Sequence, residues 1–345
     1  MMIAIDGRMG EGGGQILRTC LSLSLVTGIP FSISNIRSGR SKPGLRAQHL
    51  NAVLMSQQIG GARVEGAILG STDLKFYPQD IRSGKYQGDI GTAGSTSLVL
   101  QTLYLPLSFT KEPSTIKLTG GTHVPFAPTF DWLNLNWMIF LRAIGFDLSL
   151  ELNEAGFYPQ GGGRIQAKIN PVDHLNGMTI PDRGSLKHIR GVSTVANLDR
   201  KIAERQRERV LRRLGAKYPL NDIRIKQLTS KYKGTSIALV CEFEHTQCCY
   251  TSLGSPGKPA EKVADEVCDK VELILDSEAT VDEYLADQVL LPLSLARTNS
   301  IYSTVKITDH IRTHADVVKA FIDVEIEISG KNGSPGIIKI KPLSR

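Results

Sequence analysis

Cysteines are few and long apolar runs are missing from this sequence of 345 residues. The five cysteines include no CxxC pair, and Cys248 and Cys249 are adjacent, so neither a disulfide framework nor a zinc site is indicated. No apolar run reaches the roughly 20 residues that a membrane span needs, and no basic start leads into an apolar signal segment. We therefore expect reduced thiols, a cytoplasmic location and no membrane partner.

The two common nucleotide-binding signatures are also missing. No GK[ST] tripeptide occurs, and the glycine run at 12–14 lacks the last glycine of the Rossmann pattern, because Gln15 stands in its place. The composition excludes little else, since 41% hydrophobic and 22% charged residues are ordinary for a globular protein. A net charge of +7 permits a polyanionic partner without requiring one.

An internal repeat is present. The tetrapeptide FYPQ occurs at 76–79 and again at 157–160. Around these segments the apolar patterns predict the series strand, helix, strand, helix, strand, strand over 2–77, and the same series over 86–169. Two copies of one supersecondary unit are therefore expected in the first half of the chain.

A third copy is interrupted. The series resumes only late in the chain, with a helix over 281–296, a strand over 301–307, a helix over 313–321 and two final strands. An insert of residues 184–277 explains this more simply than one irregular domain. The sequence thus predicts an α/β (α+β) fold, with a large domain of three βαβαββ repeats over 1–183 plus 278–345 and a small α/β insert domain over 184–277.

Glycines and arginines concentrate in loops ahead of helices, where the helix N-terminus favours anions. The loop GEGGGQ precedes the first helix, and both a phosphate cradle and a tight turn are open interpretations of it. Glu11 in this loop is either a solvated glutamate or a carboxylate that reaches phosphate through a divalent cation. Arg37, Arg40, Lys42 and Arg46 form either a phosphate grip or a solvated basic loop.

His310 and His314 are four residues apart, a spacing that can place both on one helix face. A metal site is disfavoured, because no glutamate occupies the HExxH position. We expect His310 in the loop just before the helix. There a base, a nucleophile and a surface residue are all open interpretations.

The chain resembles the RNA 3'-terminal phosphate cyclase family in five segments taken in order, DGRMGEGGGQILR, IRSGRSKPGLRAQHL, GSTSLVLQT, GFYPQGGG and EYLADQ. The resemblance spans nearly the whole chain, including the insert. It implies a large domain of three βαβαββ units, like the C-terminal domain of a translation initiation factor and like enolpyruvyl transferases, with a small inserted domain. This agrees with the repeat predicted above.

The resemblance also implies a reaction. ATP adenylylates an active-site histidine and releases pyrophosphate, and the AMP then passes to the 3'-phosphate of an RNA. The neighbouring 2'-hydroxyl attacks the activated phosphorus, which gives a 2',3'-cyclic phosphate and AMP. His310 matches the histidine nucleophile of the family, whereas His314 is given no role. The expected partners are ATP and RNA with a 3'-phosphate end, and a homodimer is left open.

Further site residues follow from matching the family motifs position by position. Glu11 is the implied ligand of a divalent metal, Mg²⁺ or Mn²⁺. The RNA terminal phosphate is expected to contact Arg18, Arg37, Arg40, Gln48 and His49. The nucleotide is expected to contact Gln101, Pro128, Tyr284, Leu285, Ala286, Asp287 and Gln288. Tyr250 is the nearest candidate for a second aromatic beside adenine and is left out of the site.

Two alternative functions belong to other classes. One is a non-catalytic cyclase-like protein of ribosome assembly, which His310 disfavours because such relatives lack the histidine. The other is an enolpyruvyl-type transferase, which needs no adenylylated histidine.

Overall fold

The computed structural model describes residues 2–343, and its first unit has the predicted order of elements. Helix α1 ends at Thr27 because Gly28, at a φ of +72°, closes the last turn by donating its N–H to the Ser24 carbonyl. The sheet order is β1-β2-β4-β3, in which only β1 and β2 run parallel. The elements are β1 (Ile3–Asp6), α1 (Gln15–Thr27), β2 (Phe31–Ser34), α2 (Ala47–Ile59), β3 (Arg63–Glu65) and β4 (Leu74–Tyr77).

The second unit repeats this topology. Its sheet order is β5-β6-β8-β7, again with only the first pair parallel, which confirms the internal repeat. The tetrapeptide FYPQ itself does not occupy equivalent positions, since it overlaps β4 in the first unit and lies between β7 and β8 in the second. The elements are β5 (Lys85–Asp89), α3 (Thr96–Ser108), β6 (Ser114–Gly120), α4 (Phe130–Trp132), a π-helical turn (Leu133–Trp137), α5 (Met138–Ala143), β7 (Leu148–Glu154) and β8 (Gly163–Ile169).

A separate sheet with two helices follows. The strand order is β10-β9-β11-β12, and an apolar core of its own, including Val210, Leu239 and Val267, lies between this sheet and the helices. The charges of α6 pair with α7, for example Arg209 with Asp265 at 2.8 Å. The elements are β9 (Leu186–Ala196), α6 (Lys201–Leu214), β10 (Leu220–Gln227), β11 (Gly234–Phe243), β12 (Gln247–Leu253) and α7 (Ala260–Leu275).

The third unit lacks a continuous first strand. Its sheet order is β13-β15-β14, and two isolated parallel bridges to β13, at Thr179 and at Val281, stand where the first strand would lie. The chain therefore pairs with β13 once before the inserted sheet, at Thr179, and once after it, at Val281. The boundaries at 184 and 277 stay predictions. The elements are α8 (Glu283–Gln288), α9 (Leu290–Ser294), β13 (Ser300–Thr304), α10 (Asp309–Phe321), β14 (Val324–Ser329) and β15 (Gly336–Pro342).

Two helix predictions in the third unit are wrong. The helix expected over 281–296 is divided into α8 and α9, because Pro292 has no N–H to donate and its ring clashes with the preceding turn. Helix α10 begins at Asp309 and not at 313, because the Thr308 hydroxyl accepts the N–H of Ile311 and caps the helix. His310 therefore lies in the first helical turn and not in the preceding loop.

Helices α1, α2, α3 and α10 pack together at the centre of the large domain. Leu17, Leu21, Leu103 and Val318 are fully buried there. This packing brings the N-terminus of α1 beside that of α10, although the two are far apart in sequence. Within residues 2–343, no helix combines the length and the apolar character needed to cross a bilayer.

Candidate active site

A chain of polar contacts joins α1, α8 and α10 at the point where α1 and α10 begin. The Gln15 amide donates to Asp287 Oδ1 at 2.5 Å, and its oxygen faces His310 Nδ1 at 2.8 Å. His310 Nε2 lies 3.1 Å from Glu11 Oε2, and Arg40 reaches the same oxygen at 3.1 Å. These contacts bring together four residues that the sequence predicts for the site, Glu11, Arg40, Asp287 and His310.

Gln15 determines which nitrogen of His310 carries a proton. A carboxylate only accepts hydrogen bonds, so the Gln15 nitrogen must face Asp287 and its oxygen must face His310. That oxygen can only accept, and therefore Nδ1 of His310 donates. In a neutral imidazole the lone pair is then on Nε2. The contact of Nε2 with the Glu11 carboxylate, which also only accepts, is a hydrogen bond only when Nε2 carries a proton too. Sequence reasoning missed Gln15 as a site residue.

Glu11 lies between a histidine and an arginine. Its carboxylate is about 40% exposed and contacts both His310 and Arg40. No group of three His, Cys, Asp or Glu side chains suited to a metal occurs in the described part of the chain. One carboxylate still fits Mg²⁺ or Mn²⁺, since such ions are commonly held by one or two carboxylates plus phosphate oxygens of the substrate.

His314 is a second site residue that the sequence interpretation left without a role. It is only 6% exposed, and its Nδ1 donates to Oδ1 of Asp287 at 2.9 Å. Burial would raise the pKa of Asp287, but His314, His310 and Gln15 together lower it overall. The signal in the sequence is its spacing of four residues from His310, because residues four apart share one face of a helix.

A small cavity of about 40 Å³ opens behind these residues. Its lining includes Arg18, Gln101, Gln288 and His314. Three buried polar atoms at this cavity have no hydrogen-bond partner among the described residues. They are the amide nitrogen and oxygen of Gln101 and Nε2 of His314. Burial lowers the pKa of Arg18 to about 10, which still leaves it charged at neutral pH. Unsatisfied buried polar groups call for a ligand or water, so the cavity suits a polar or anionic group.

The glycine loop is crowded by basic side chains. A Cβ on Gly14 would lie 2.3 Å from His49 Nε2 and 3.1 Å from Arg18, and one on Gly13 would lie 3.2 Å from Arg40. Glycine is therefore required at position 14 for this close approach of the His49 ring. Burial, and after it the charges of the neighbouring arginines, lowers the pKa of His49 to about 3, so His49 stays neutral.

Arg37 and Gln48 hold neighbouring backbone. Arg37 donates to the carbonyls of Lys42 and Gly44 at 2.7 and 3.0 Å, which gives the basic loop a fixed shape. The Gln48 side chain accepts the N–H of Ser95 at 2.7 Å. Arg37 thus fixes the basic loop, whereas Gln48 ties α2 to the residue that precedes α3.

The residues expected around the nucleotide differ in accessibility. Tyr284 is 45% exposed and Pro128 is partly exposed, whereas Leu285 and Ala286 are fully buried. The Ala286 carbonyl accepts the hydroxyl of Tyr302. Side chains of Leu285 and Ala286 are therefore not available to a ligand. Tyr250 is buried edge-on against Tyr284, with ring centroids 6.4 Å apart.

Comparison with known proteins agrees with the predicted family. The model of the RNA 3'-terminal phosphate cyclase family matches residues 9–328. Proteins named RNA 3'-terminal phosphate cyclase are similar to this chain in Koribacter versatilis, at 43% identity over 95% of the chain and 92% of the relative, and in Ralstonia nicotianae, at 41% over 95% and 94%. One in Caldivirga maquilingensis is 40% identical over 96% of both chains.

One solved structure is a far weaker match. The enolpyruvyl transferase NikO from Streptomyces tendae aligns with 99% of this chain and 66% of its own at 11% identity, with a TM-score of 0.26, which is too low to carry a conclusion. The sequence relatives carry the name of an enzyme, so the prediction of an enzyme is confirmed. Matched along nearly its whole length by a family model and by relatives at 40% identity or more, the chain belongs to the RNA 3'-terminal phosphate cyclase family.

Proposed function

We propose that this chain converts the 3'-phosphate of an RNA to a 2',3'-cyclic phosphate at the expense of ATP, through an AMP adduct of His310. The observation that carries the proposal is that the two ring nitrogens of His310 have different partners. The Gln15 side-chain oxygen accepts a hydrogen bond from Nδ1–H, and Nε2 points toward Glu11, which Arg40 also contacts, at the rim of the glycine loop. This arrangement suits a nitrogen nucleophile attacking a phosphate.

In the first step, Nε2 of His310 forms a bond to the α-phosphorus of ATP, and the bond from that phosphorus to the β-phosphate oxygen breaks to release pyrophosphate. Attack requires Nε2 without a proton. Glu11 would be the residue that holds a divalent cation, and its carboxylate would then no longer accept from Nε2, whose proton would pass to solvent before the attack. When bound, such a cation neutralises phosphate charge. Nδ1 keeps its proton throughout, because the Gln15 oxygen accepts a hydrogen bond from Nδ1–H.

In the second step, an oxygen of the RNA 3'-phosphate attacks the adenylate phosphorus and the bond to Nε2 breaks. Two anions must approach each other in this step, so positive charge has to surround them. Arg18 and Arg40 border the glycine loop, and neutral His49 offers a ring nitrogen beside Gly14. In the last step, the 2'-hydroxyl loses its proton and attacks the 3'-phosphorus, and AMP leaves.

The nucleotide site is proposed at α8. Tyr284 exposes a ring that can stack on adenine beside Pro128, while Gln101 and Gln288 offer amides at the cavity. Asp287 is engaged with Gln15 and His314 and therefore acts by positioning His310. The cytoplasmic location and the homodimer remain predictions.

Incubation with α-labelled ATP separates the three candidate functions. The proposed cyclase retains the label on the protein and, after RNA with a 3'-phosphate is added, releases labelled AMP and a 2',3'-cyclic end. An enolpyruvyl-type transferase or a non-catalytic assembly factor retains no label. Absence of both the adduct and the cyclic product, from a folded protein, would overturn the proposal.

Gln15→Leu is expected to slow adduct formation by about 100-fold, because misplacing a reacting group by as little as 1 Å has effects of this size. The variant keeps the volume of the side chain but removes the acceptor for His310 Nδ1 and the donor to Asp287. Initial rates of label incorporation measure the effect. Gln58→Leu, at an exposed position of α2, serves as the control, and an unchanged rate for Gln15→Leu would contradict the assigned proton on Nδ1.

A further inference from the structure

Two aromatic rings point into solvent from neighbouring loops of the second unit. Phe126 is fully exposed and Tyr158 is 66% exposed. Their loops are joined by a parallel bridge between His123 and Phe157, whose rings stack with centroids 4.9 Å apart. The two exposed rings therefore project from adjoining loops, and we call Phe126 and Tyr158 together the aromatic surface.

The base of these loops is held firmly. His123 contacts the Thr122 hydroxyl at 2.7 Å and Asp131 at 3.2 Å, and the N–H groups of Thr122 and His123 both donate to the carbonyl of Gly156. Phe126 has a φ of +61°, a left-handed conformation that a bulky residue rarely adopts. Strained residues of this kind cluster at functional sites, and exposed rings on adjoining loops make a larger apolar area than one exposed side chain.

The sequence FYPQ provides an internal contrast. In the first unit the ring of Tyr77 is covered by the guanidinium of Arg63, 3.7 Å from the ring centroid. In the second unit Tyr158 lies in the same tetrapeptide but is open to solvent. The tetrapeptide therefore does not by itself determine exposure, and the second copy leaves its ring free for a partner.

The aromatic surface is connected to the proposed phosphate site through backbone contacts. Gly121 donates its N–H to the carbonyl of Gly94, and a Cβ on Gly161 would lie 2.7 Å from the Cα of Ala93. The adjacent Ser95 donates its N–H to Gln48, which the family resemblance implies as a contact of the RNA terminal phosphate. The loops of the aromatic surface therefore adjoin the segment that Gln48 contacts.

Positive charge flanks the same loops. A Cβ on Gly162 would lie 3.3 Å from the ring of Tyr232, which is itself exposed. Lys231 and Lys233 on either side are exposed and form no ion pair within residues 2–343. Lysines attract a phosphate backbone, while aromatic faces stack on bases of any sequence. This combination is typical of a surface for single-stranded nucleic acid.

We propose that Phe126 and Tyr158 stack on the nucleobases that precede the terminal 3'-phosphate of single-stranded RNA. The inference rests on the proposed function, since it assigns the path of that substrate. It also predicts a division of roles, in which the glycine loop binds the terminal phosphate and the aromatic surface binds the bases upstream of it.

Binding is measured with a 12-nucleotide RNA that carries 2-aminopurine as its penultimate base and a 2'-deoxy, 3'-phosphate terminal nucleotide, which cannot cyclise. Stacking on an aromatic ring quenches the fluorescence of 2-aminopurine. We expect wild type to quench it, Phe126→Ala and Tyr158→Ala each to weaken binding by about five- to tenfold, and Phe126→Trp and Tyr158→Phe to retain it. Alanine at 126 has a Cβ, as phenylalanine does, so both residues meet the same steric restriction at the positive φ of this position. Leu69→Ala, at a position 61% exposed in the first unit, is the control.

Two activity measurements separate this inference from the proposed function. Adduct formation with ATP alone, and the KM for a single ribonucleoside 3'-phosphate, are expected to be unchanged in both alanine variants. Equal binding of the RNA by wild type and both variants would overturn the inference while leaving the proposed function intact. A matching loss of adduct formation would overturn it as well, because the rings would then serve ATP. A wild type that binds RNA through these rings but forms no adduct would contradict the proposed function alone.

Discussion

His310→Ala is expected to lose both the covalent AMP adduct and RNA cyclisation, each by at least about 1000-fold, as is usual when a nucleophile is removed. The substitution deletes the nitrogen that Gln15 orients and that faces Glu11. The remaining polar groups of the site can bind ATP but offer no equivalent nucleophile. Label incorporation from α-labelled ATP and conversion of RNA with a 3'-phosphate measure the two losses separately.

The controls for this prediction are the two other histidines of the site. His314→Ala and His49→Ala are expected to form the adduct, because neither ring contacts Glu11 in the way that His310 does. The wild-type adduct is expected to be labile to acid and stable to alkali, as a phosphorus–nitrogen bond is. Full labelling of His310→Ala, or an alkali-labile adduct, would place the nucleophile elsewhere, on Glu11 or on a lysine.

Glu11→Gln is expected to slow adduct formation by about 100- to 1000-fold, the size of effect found when a group that stabilises transition-state charge is removed. The amide keeps the shape of the side chain and can still accept from Arg40. It has lost the negative charge that binds a divalent cation, so raising Mg²⁺ or Mn²⁺ should not restore the rate. Initial rates of labelling across a range of metal concentrations measure this.

A matched control for the charge is Glu65→Gln in the same unit. Glu65 is also an exposed carboxylate held by basic residues, Arg63 and Lys75, and it lies away from the glycine loop. We expect it to leave the rate and the metal dependence unchanged. A Glu11→Gln variant with wild-type rate would show that the metal, if required, is held by other groups.

The repeat was predictable from the sequence because apolar periodicity reports burial, and each unit buries its helices in the same way. The exact ends of the helices depend on single contacts that periodicity does not report. Pro292 divides one helix, and the Thr308 hydroxyl extends another to include His310. The sequence contains both residues, but where each helix begins or ends depends on the backbone geometry around them.

The contacts of the candidate site were likewise only partly predictable from the sequence. Motif matching could identify His310 and Gln15 as members of family segments, but nothing in the sequence says that two residues 295 positions apart share a hydrogen bond. His314 was missed because its contact, Asp287, comes from a different helix. Conversely, Leu285 and Ala286 belong to a matching segment although their side chains are buried, since a motif records neighbours in sequence as well as contacts with a ligand.

The interrupted strand of the third unit has a consequence for synthesis on the ribosome. The N–H of Met178 pairs with the hydroxyl of Ser300, which is 122 residues later in the chain. The first two units and the inserted sheet can each complete their own strand pairing before β13, which contains Ser300, has been translated. Residues around Met178 must wait for β13, and such distant pairings form slowly. Because α8 and α10 follow the insert, His310 meets Gln15 only after the inserted sheet has been translated, so under the proposed function a chain cut before α10 would form no AMP adduct.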